Sequence, residues 1–471
     1  MQALHECDTL AGVPLPLMTT TSTDAAAPGL LSRLLARPLK TVARVEPDEV
    51  KAVTVSFVYF ALLMGSYFVV RPVRDAMGTV YGVRSLEELY TGTFIASFFL
   101  APAYAFLASR IKLATFLPWV YGFIAVTMLG FYALFEARGG QQDRWVAAAF
   151  FVWVSTFNVL IISVFWSLMA DTFSRTQAKR LFGFIAAGGT VGTIGGPALA
   201  ALLVNAVGTN TLMLISAGGF VVTAWLVRVL EREKSRLRAL GQDAQATTLD
   251  RTLGGNPIEG FTLLFRSPYL LMIALFILLM TTISTIIYFQ LGDLITQAFE
   301  SREARTRAYA LIDLAVNGTT VFLQLFGTGR LIERFGVTAG LVLNPLIMVF
   351  AFLAVAFSPV LLVLGSIQVV RRFAEYAIAK PSREMLFTVV DQESKYKAKN
   401  VIDTVVYRFG DVTSAWLSAA VLPFGVAGLA VAGVIMSAVW FPIAYLLGKR
   451  YESVRSGELV GKPGASANGL D

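Results

Sequence analysis

One cysteine, Cys7, and one histidine, His5, stand in a chain of 471 residues, and both fall within its first ten. The rest of the chain can therefore form no internal disulfide, thiolate metal site, Cys or His nucleophilic centre, or histidine proton relay. Charge is scarce as well. Asp, Glu, Lys and Arg make up 15% of the residues against 56% hydrophobic, whereas an ordinary soluble domain is about a quarter charged. No basic patch interleaved with aromatics stands apart, so the net charge of +8 gives no argument for nucleic acid as a partner. Without Cys, His or metal-ligand spacing in the apolar segments, neither an enzyme nor a resident cofactor or metal is expected.

What fills the chain is apolar residues in blocks. A bilayer core about 30 Å thick needs about 20 such residues per helix. Ala52–Val70, Leu113–Phe135 and Trp145–Ala170 meet that length without a charge, and Leu181–Val227 is long enough for two spans with a turn at Val204–Asn210. Leu89–Ser109, Tyr269–Gly292, Ala308–Gly329, Gly336–Phe357, Val360–Leu386, Val401–Leu422 and Gly425–Leu447 complete twelve predicted helices. Lys and Arg gather in the loops on one side. That side is expected to be cytoplasmic and to hold both termini.

A fixed offset of 220 residues maps one half onto the other: Arg110 falls on Arg330, and Asp171, Ala178 and Lys179 fall on Asp391, Ala398 and Lys399. The chain thus divides into an N-terminal tail (1–50), a six-helix bundle (51–230), a charged linker (231–267), a second bundle (268–448) and a C-terminal tail (449–471). In the first tail, Leu30, Leu31, Leu34, Leu35 and Leu39 among Arg33, Arg37, Lys40 and Arg44 fit either a short basic helix on membrane lipid or a disordered segment. Two six-helix halves joined by a charged loop resemble the major facilitator architecture, in which the halves rock about a central site.

Charges inside span-length segments are costly, so they normally face a water-filled cavity and bind something there. Gln368, Arg371, Arg372 and Glu375 occupy helix ten, and Asp313, Asn317, Thr320 and Gln324 share one face of helix eight by their spacing. Helix eleven carries Asp403, Tyr407, Arg408, Asp411, Ser414 and Ser418. Helix one ends in Arg71, Arg74 and Asp75, with Pro72 expected to break it there. Arg371 and Glu375, four apart, can neutralise each other, but that leaves Arg372 unexplained. Gly188, Gly192 and Gly196 in helix five suit close helix packing, since a phosphate-cradling loop needs a preceding strand. Asp171, Lys179, Asp391 and Lys399 occupy equivalent cytoplasmic loops and form a candidate gate between the halves.

The segment from Phe165 through Trp166, Asp171, Gln177, Lys179 and Arg180 to Gly183 resembles the helix four to five signature of the ATP/ADP translocase family of bacteria and plastids. Arg71-Pro72-Val73-Arg74-Asp75 resembles that family's basic motif at the end of helix one, where a Lys of the nucleotide exchangers falls on Arg74. The family's helix-eight acid has Asp313 as its nearest counterpart. Helix four, by contrast, offers Val154 to Asn158 where the family has an acid, and the helix-eleven Lys falls on Asp411. The resemblance implies a bacterial relative in the inner membrane that exchanges an organic anion by alternating access, ATP/ADP or another phosphorylated metabolite first; separately, a monomer is expected. Residues expected to bind it are Arg71, Arg74, Asp75, Asn158, Asp313, Asn317, Gln368, Arg371, Arg372, Glu375, Tyr407, Arg408 and Asp411. A proton-coupled symporter or exporter, and a non-transporting membrane scaffold, are the alternatives.

Overall fold

The computed structural model describes residues 45–110, 113–137, 143–239, 259–390, 398–399, 401–421 and 424–456. The readings made for the N-terminal tail, most of the linker, Asp391 and the last residues lie outside them. Described helices follow one another as α1 (Val50–Tyr81), α2 (Leu86–Arg110), α3 (Leu113–Ala137), α4 (Arg144–Thr172), α5 (Arg175–Val207) and α6 (Thr209–Ala239). After a short helix at Glu259–Arg266 come α7 (Pro268–Ala298), α8 (Arg302–Phe326), α9 (Thr328–Phe357), α10 (Leu361–Ala374), α11 (Tyr407–Val421) and α12 (Gly425–Arg455). Among the described residues, nine helices are long and apolar enough to cross a bilayer. α2, α10 and α11 are not among them; α10 and α11 are short, each adjoining a π-helical turn (Glu375–Ala379 and Ile402–Val406). Exposed Trp119, Trp145, Leu202 and Phe357 give the outer surface its apolar character, as a membrane-embedded surface requires.

Several starts are capped from the sequence. The Ser174 hydroxyl accepts from the Gln177 amide at 3.3 Å while the Gln177 side chain accepts from the Ser174 amide at 2.9 Å, which fixes the start of α5. The Asp143 carboxylate accepts from the Trp145 amide at 2.8 Å and starts α4.

Pro72 does not end helix one. α1 runs through it to Tyr81 and stops at Gly82, whose φ of 127° only glycine adopts freely. A proline inside a helix removes one backbone hydrogen bond, and the stretch beyond it is held by burial of Val73 and Met77. Gly336, the predicted first residue of helix nine, has φ 78° and ψ 173° and bends α9 there.

The two halves repeat one packing plan. α1 lies against α5 and α6, and α3 against α6; correspondingly α7 lies against α11 and α12, and α9 against α12. Each half has its own apolar core. α1 and α5 approach so closely that a Cβ on Gly188 would sit 2.3 Å from the Phe57 carbonyl oxygen, and one on Gly192 2.3 Å from that of Ala61. The halves meet along α5 with α8, α2 with α11, and α1 with α8.

Candidate functional site

The near end is where α1 begins and α12 finishes; the far end is where α1 meets α2 and α7 meets α8. Polar contacts across the halves gather from mid-depth to the far end. Tyr288 of α7 donates to Asp75 at 2.9 Å, Arg305 of α8 donates to Thr79 at 3.4 Å, and Trp416 of α11 donates to Thr91 at 3.1 Å. Tyr90 packs edge-on against Phe289 with ring centroids 5.5 Å apart. At the near end the ion pairs join helices of a single half: Lys234 with Asp171 at 2.5 Å, Arg180 with Glu49 at 2.5 Å, and Arg383 with Asp403 at 3.5 Å. The halves are thus latched at the far end, with the site lying behind that latch.

Three charged groups make up the site. In the first, Asp313 of α8 receives Arg372 of α10 at 2.5 Å and Arg71 of α1 at 3.4 Å, both on Oδ1. Asp313 is 2% exposed and Arg372 5%, so this pair is held away from water, and Arg71 on the same oxygen joins the N-terminal half to the C-terminal one. Asp313 Oδ2 is buried with no partner among the described residues. Beside it Arg74 binds Asp75 through Nε at 2.9 Å and donates to Ser155 Oγ at 3.2 Å.

In the second group Arg371 holds Glu375 at 2.8 Å and Gln368 Oε1 at 3.1 Å, and also donates to Ser284 of α7. The expected neutralisation of Arg371 by Glu375 is therefore present, and Asp313 accounts for Arg372. The third group is Arg408 with Asp411, 3.8 Å apart on α11. Tyr407 beside them is half-buried. A guanidinium also lies over a ring in several places, Arg71 over Phe68 at 5.3 Å and Arg372 over Tyr376 at 5.7 Å.

Two expected residues behave differently from the rest. Asn317 donates to the Thr193 carbonyl of α5 at 2.7 Å, tying α8 to the other half. Asn158 of α4 has its Oδ1 buried without a partner among the described residues. Of the four gate residues, Asp171 pairs with Lys234 and Lys399 with Glu384, Lys179 is exposed, and Asp391 lies outside the described residues.

Sequence reasoning missed Ser155, Tyr288 and Ser284. Ser155 was findable, because the 220-residue offset sets it opposite Glu375, and it serves Arg74 as Glu375 serves Arg371. Tyr288 carried no such signal, since its partner Asp75 lies on a different half.

Two helical bundles, closed over buried arginines and acids at their interface, define a secondary membrane transporter. The chain belongs to the Major Facilitator Superfamily, whose profile matches residues 52–367. Among curated proteins it is similar to ADP,ATP carrier protein 1 of Chlamydia muridarum, 23% identical over 397 residues that span 76% of this chain and 73% of the carrier. This agrees with the resemblance read from the helix-one and helix-four motifs. Among solved structures it shares its fold with a bacterial homologue of the iron transporter ferroportin in an inward-facing state (TM-score 0.61, 12% identity, covering 86% of this chain and 99% of that one). The nucleoside transporter NupG is another (TM-score 0.54, 16% identity, covering 86% and 99%).

Proposed function

We propose that this protein carries a nucleotide or another phosphorylated organic anion across the bacterial inner membrane by alternating access. Both termini are cytoplasmic and the chain works as a monomer. The observation that carries the reading is the Arg71–Asp313–Arg372 bridge, two guanidiniums from different halves converging on one buried carboxylate. Guanidiniums suit phosphate because they stay charged in a low-dielectric site and bind it bidentately. In the empty protein the carboxylates hold the arginines in place; an arriving anion competes for the same donors. Because Arg71 and Arg372 belong to different halves, exchange of Asp313 for substrate couples occupancy to the relation between them. With the termini cytoplasmic, the far-end latch makes this conformation inward-facing, so substrate enters from the cytoplasmic side. Asp171, Lys179, Asp391 and Lys399 remain candidates for the latch of the opposite state.

A thermal-shift panel of nucleotides, sugar phosphates and organic acids on purified protein tests this. A ligand at 100 times its dissociation constant stabilises by about 2.7 kcal/mol, and Arg372→Ala is expected to abolish the shift. A panel in which no phosphorylated compound shifts the melting refutes the reading, and uptake driven by a pH gradient alone favours a proton-coupled symporter.

A further inference from the structure

The charges at the site balance to within one. Leaving aside Arg302, Glu303, Arg305 and Arg307 at the far end of α8, the site carries, among the described residues, five guanidiniums (Arg71, Arg74, Arg371, Arg372, Arg408) and four carboxylates (Asp75, Asp313, Glu375, Asp411). Four pairs form: Arg74 with Asp75 at 2.5 Å, Arg371 with Glu375 at 2.8 Å, Arg372 with Asp313 at 2.5 Å, and Arg408 with Asp411 at 3.8 Å. Arg71 is left to share Asp313 at 3.4 Å, and it is the more exposed of the two arginines there, its side chain 18% accessible against 6%. Arg383, Glu384, Asp403 and Lys399 form a separate group nearer the open end and pair among themselves.

A ligand entering this site meets one surplus positive charge. A single phosphate group carries about −1.5 to −2 at neutral pH. Each further phosphate of a di- or triphosphate adds another negative charge, and the site has no remaining guanidinium to match it. Freeing Arg74, Arg371 or Arg372 would require a buried carboxylate to stand unpaired, which is the arrangement that low-dielectric surroundings penalise most, and Arg408 is held by half-buried Asp411 at 3.8 Å. We infer that the transported species carries one phosphate group, as a nucleoside monophosphate or an equally charged phosphate ester does, and that Arg71 is its first ligand. This rests on the phosphorylated-anion reading above and narrows it to the monophosphate class.

Equilibrium binding to the full-length protein without divalent cations tests the inference, using AMP, ADP, ATP, glucose 6-phosphate and inorganic phosphate. AMP is expected to bind about tenfold more tightly than ADP, with ATP weaker still. Comparable affinity for glucose 6-phosphate identifies the phosphate rather than the base as the recognised part. Arg71→Ala loses AMP binding. Glu375→Gln frees Arg371 and reduces the preference for AMP over ADP by about threefold or more; Asp411→Asn, on another helix, does the same through Arg408 if the first variant fails to fold. ADP or ATP binding wild type as tightly as AMP overturns the inference and leaves the broader reading standing. Failure of all five compounds to bind overturns both.

Discussion

Removing Arg372 alone should cost more stability than removing it together with its partner. Arg372→Met takes from Asp313 the guanidinium at 2.5 Å and leaves only Arg71 at 3.4 Å. The carboxylate is 2% exposed, so water cannot replace the lost partner. Breaking a buried pair in this way costs about 3–5 kcal/mol, whereas replacing both members by apolar side chains is often neutral or stabilising. The remaining contact with Arg71 puts the expected loss near the lower end, about 3 kcal/mol. Arg372→Met/Asp313→Leu should recover part of it, leaving Arg71 unpaired but able to reach water. Thermal unfolding in detergent reads the order: wild type highest, the double variant next, the single variant lowest. Neither variant should transport, which separates stability from function. A single variant that melts with wild type, or a double variant that melts below the single one, refutes the claim that Asp313 is a buried charge held by Arg372.

Two further outcomes follow from packing and from the latch. Gly192→Ala forces a methyl to within 2.3 Å of the Ala61 carbonyl and 2.7 Å of the Gly65 amide nitrogen, an overpacking worth about 1–3 kcal/mol, while Gly130→Ala, with open space around its Cβ, should melt as wild type does. Tyr288→Phe deletes the hydrogen bond to Asp75 at 2.9 Å, worth about 0.5–1.5 kcal/mol. In a Cys7→Ser background it should raise labelling of a cysteine placed at Thr79 from the far side by about two- to tenfold; unchanged labelling removes Tyr288 from the latch.

Apolar blocks were enough to place the nine long apolar helices, because span length is a local property of a sequence. The Arg371–Glu375 pair was legible for the same reason: four residues apart on a helix puts two side chains on one face. Partners drawn from other helices were not legible. Nothing in the order of residues says that Arg372 of α10 meets Asp313 of α8, or that Tyr288 of α7 meets Asp75 of α1, since those contacts depend on how the bundles dock. The expected break at Pro72 failed because a helix whose continuation is buried tolerates one missing hydrogen bond. The π-helical turns at Glu375–Ala379 and Ile402–Val406 also escaped notice. One follows α10 and the other precedes α11, two helices that carry site charges, where such turns are often found.

Counterflow in proteoliposomes tests the central claim most directly. Vesicles holding purified protein are loaded with an unlabelled phosphorylated compound identified by the binding panel and then given the labelled form outside. The account predicts uptake that depends on the internal substrate, proceeds without a pH gradient, and is lost in both Arg71→Ala and Arg372→Ala while each variant remains folded and membrane-inserted. Wild-type exchange by both variants would contradict it.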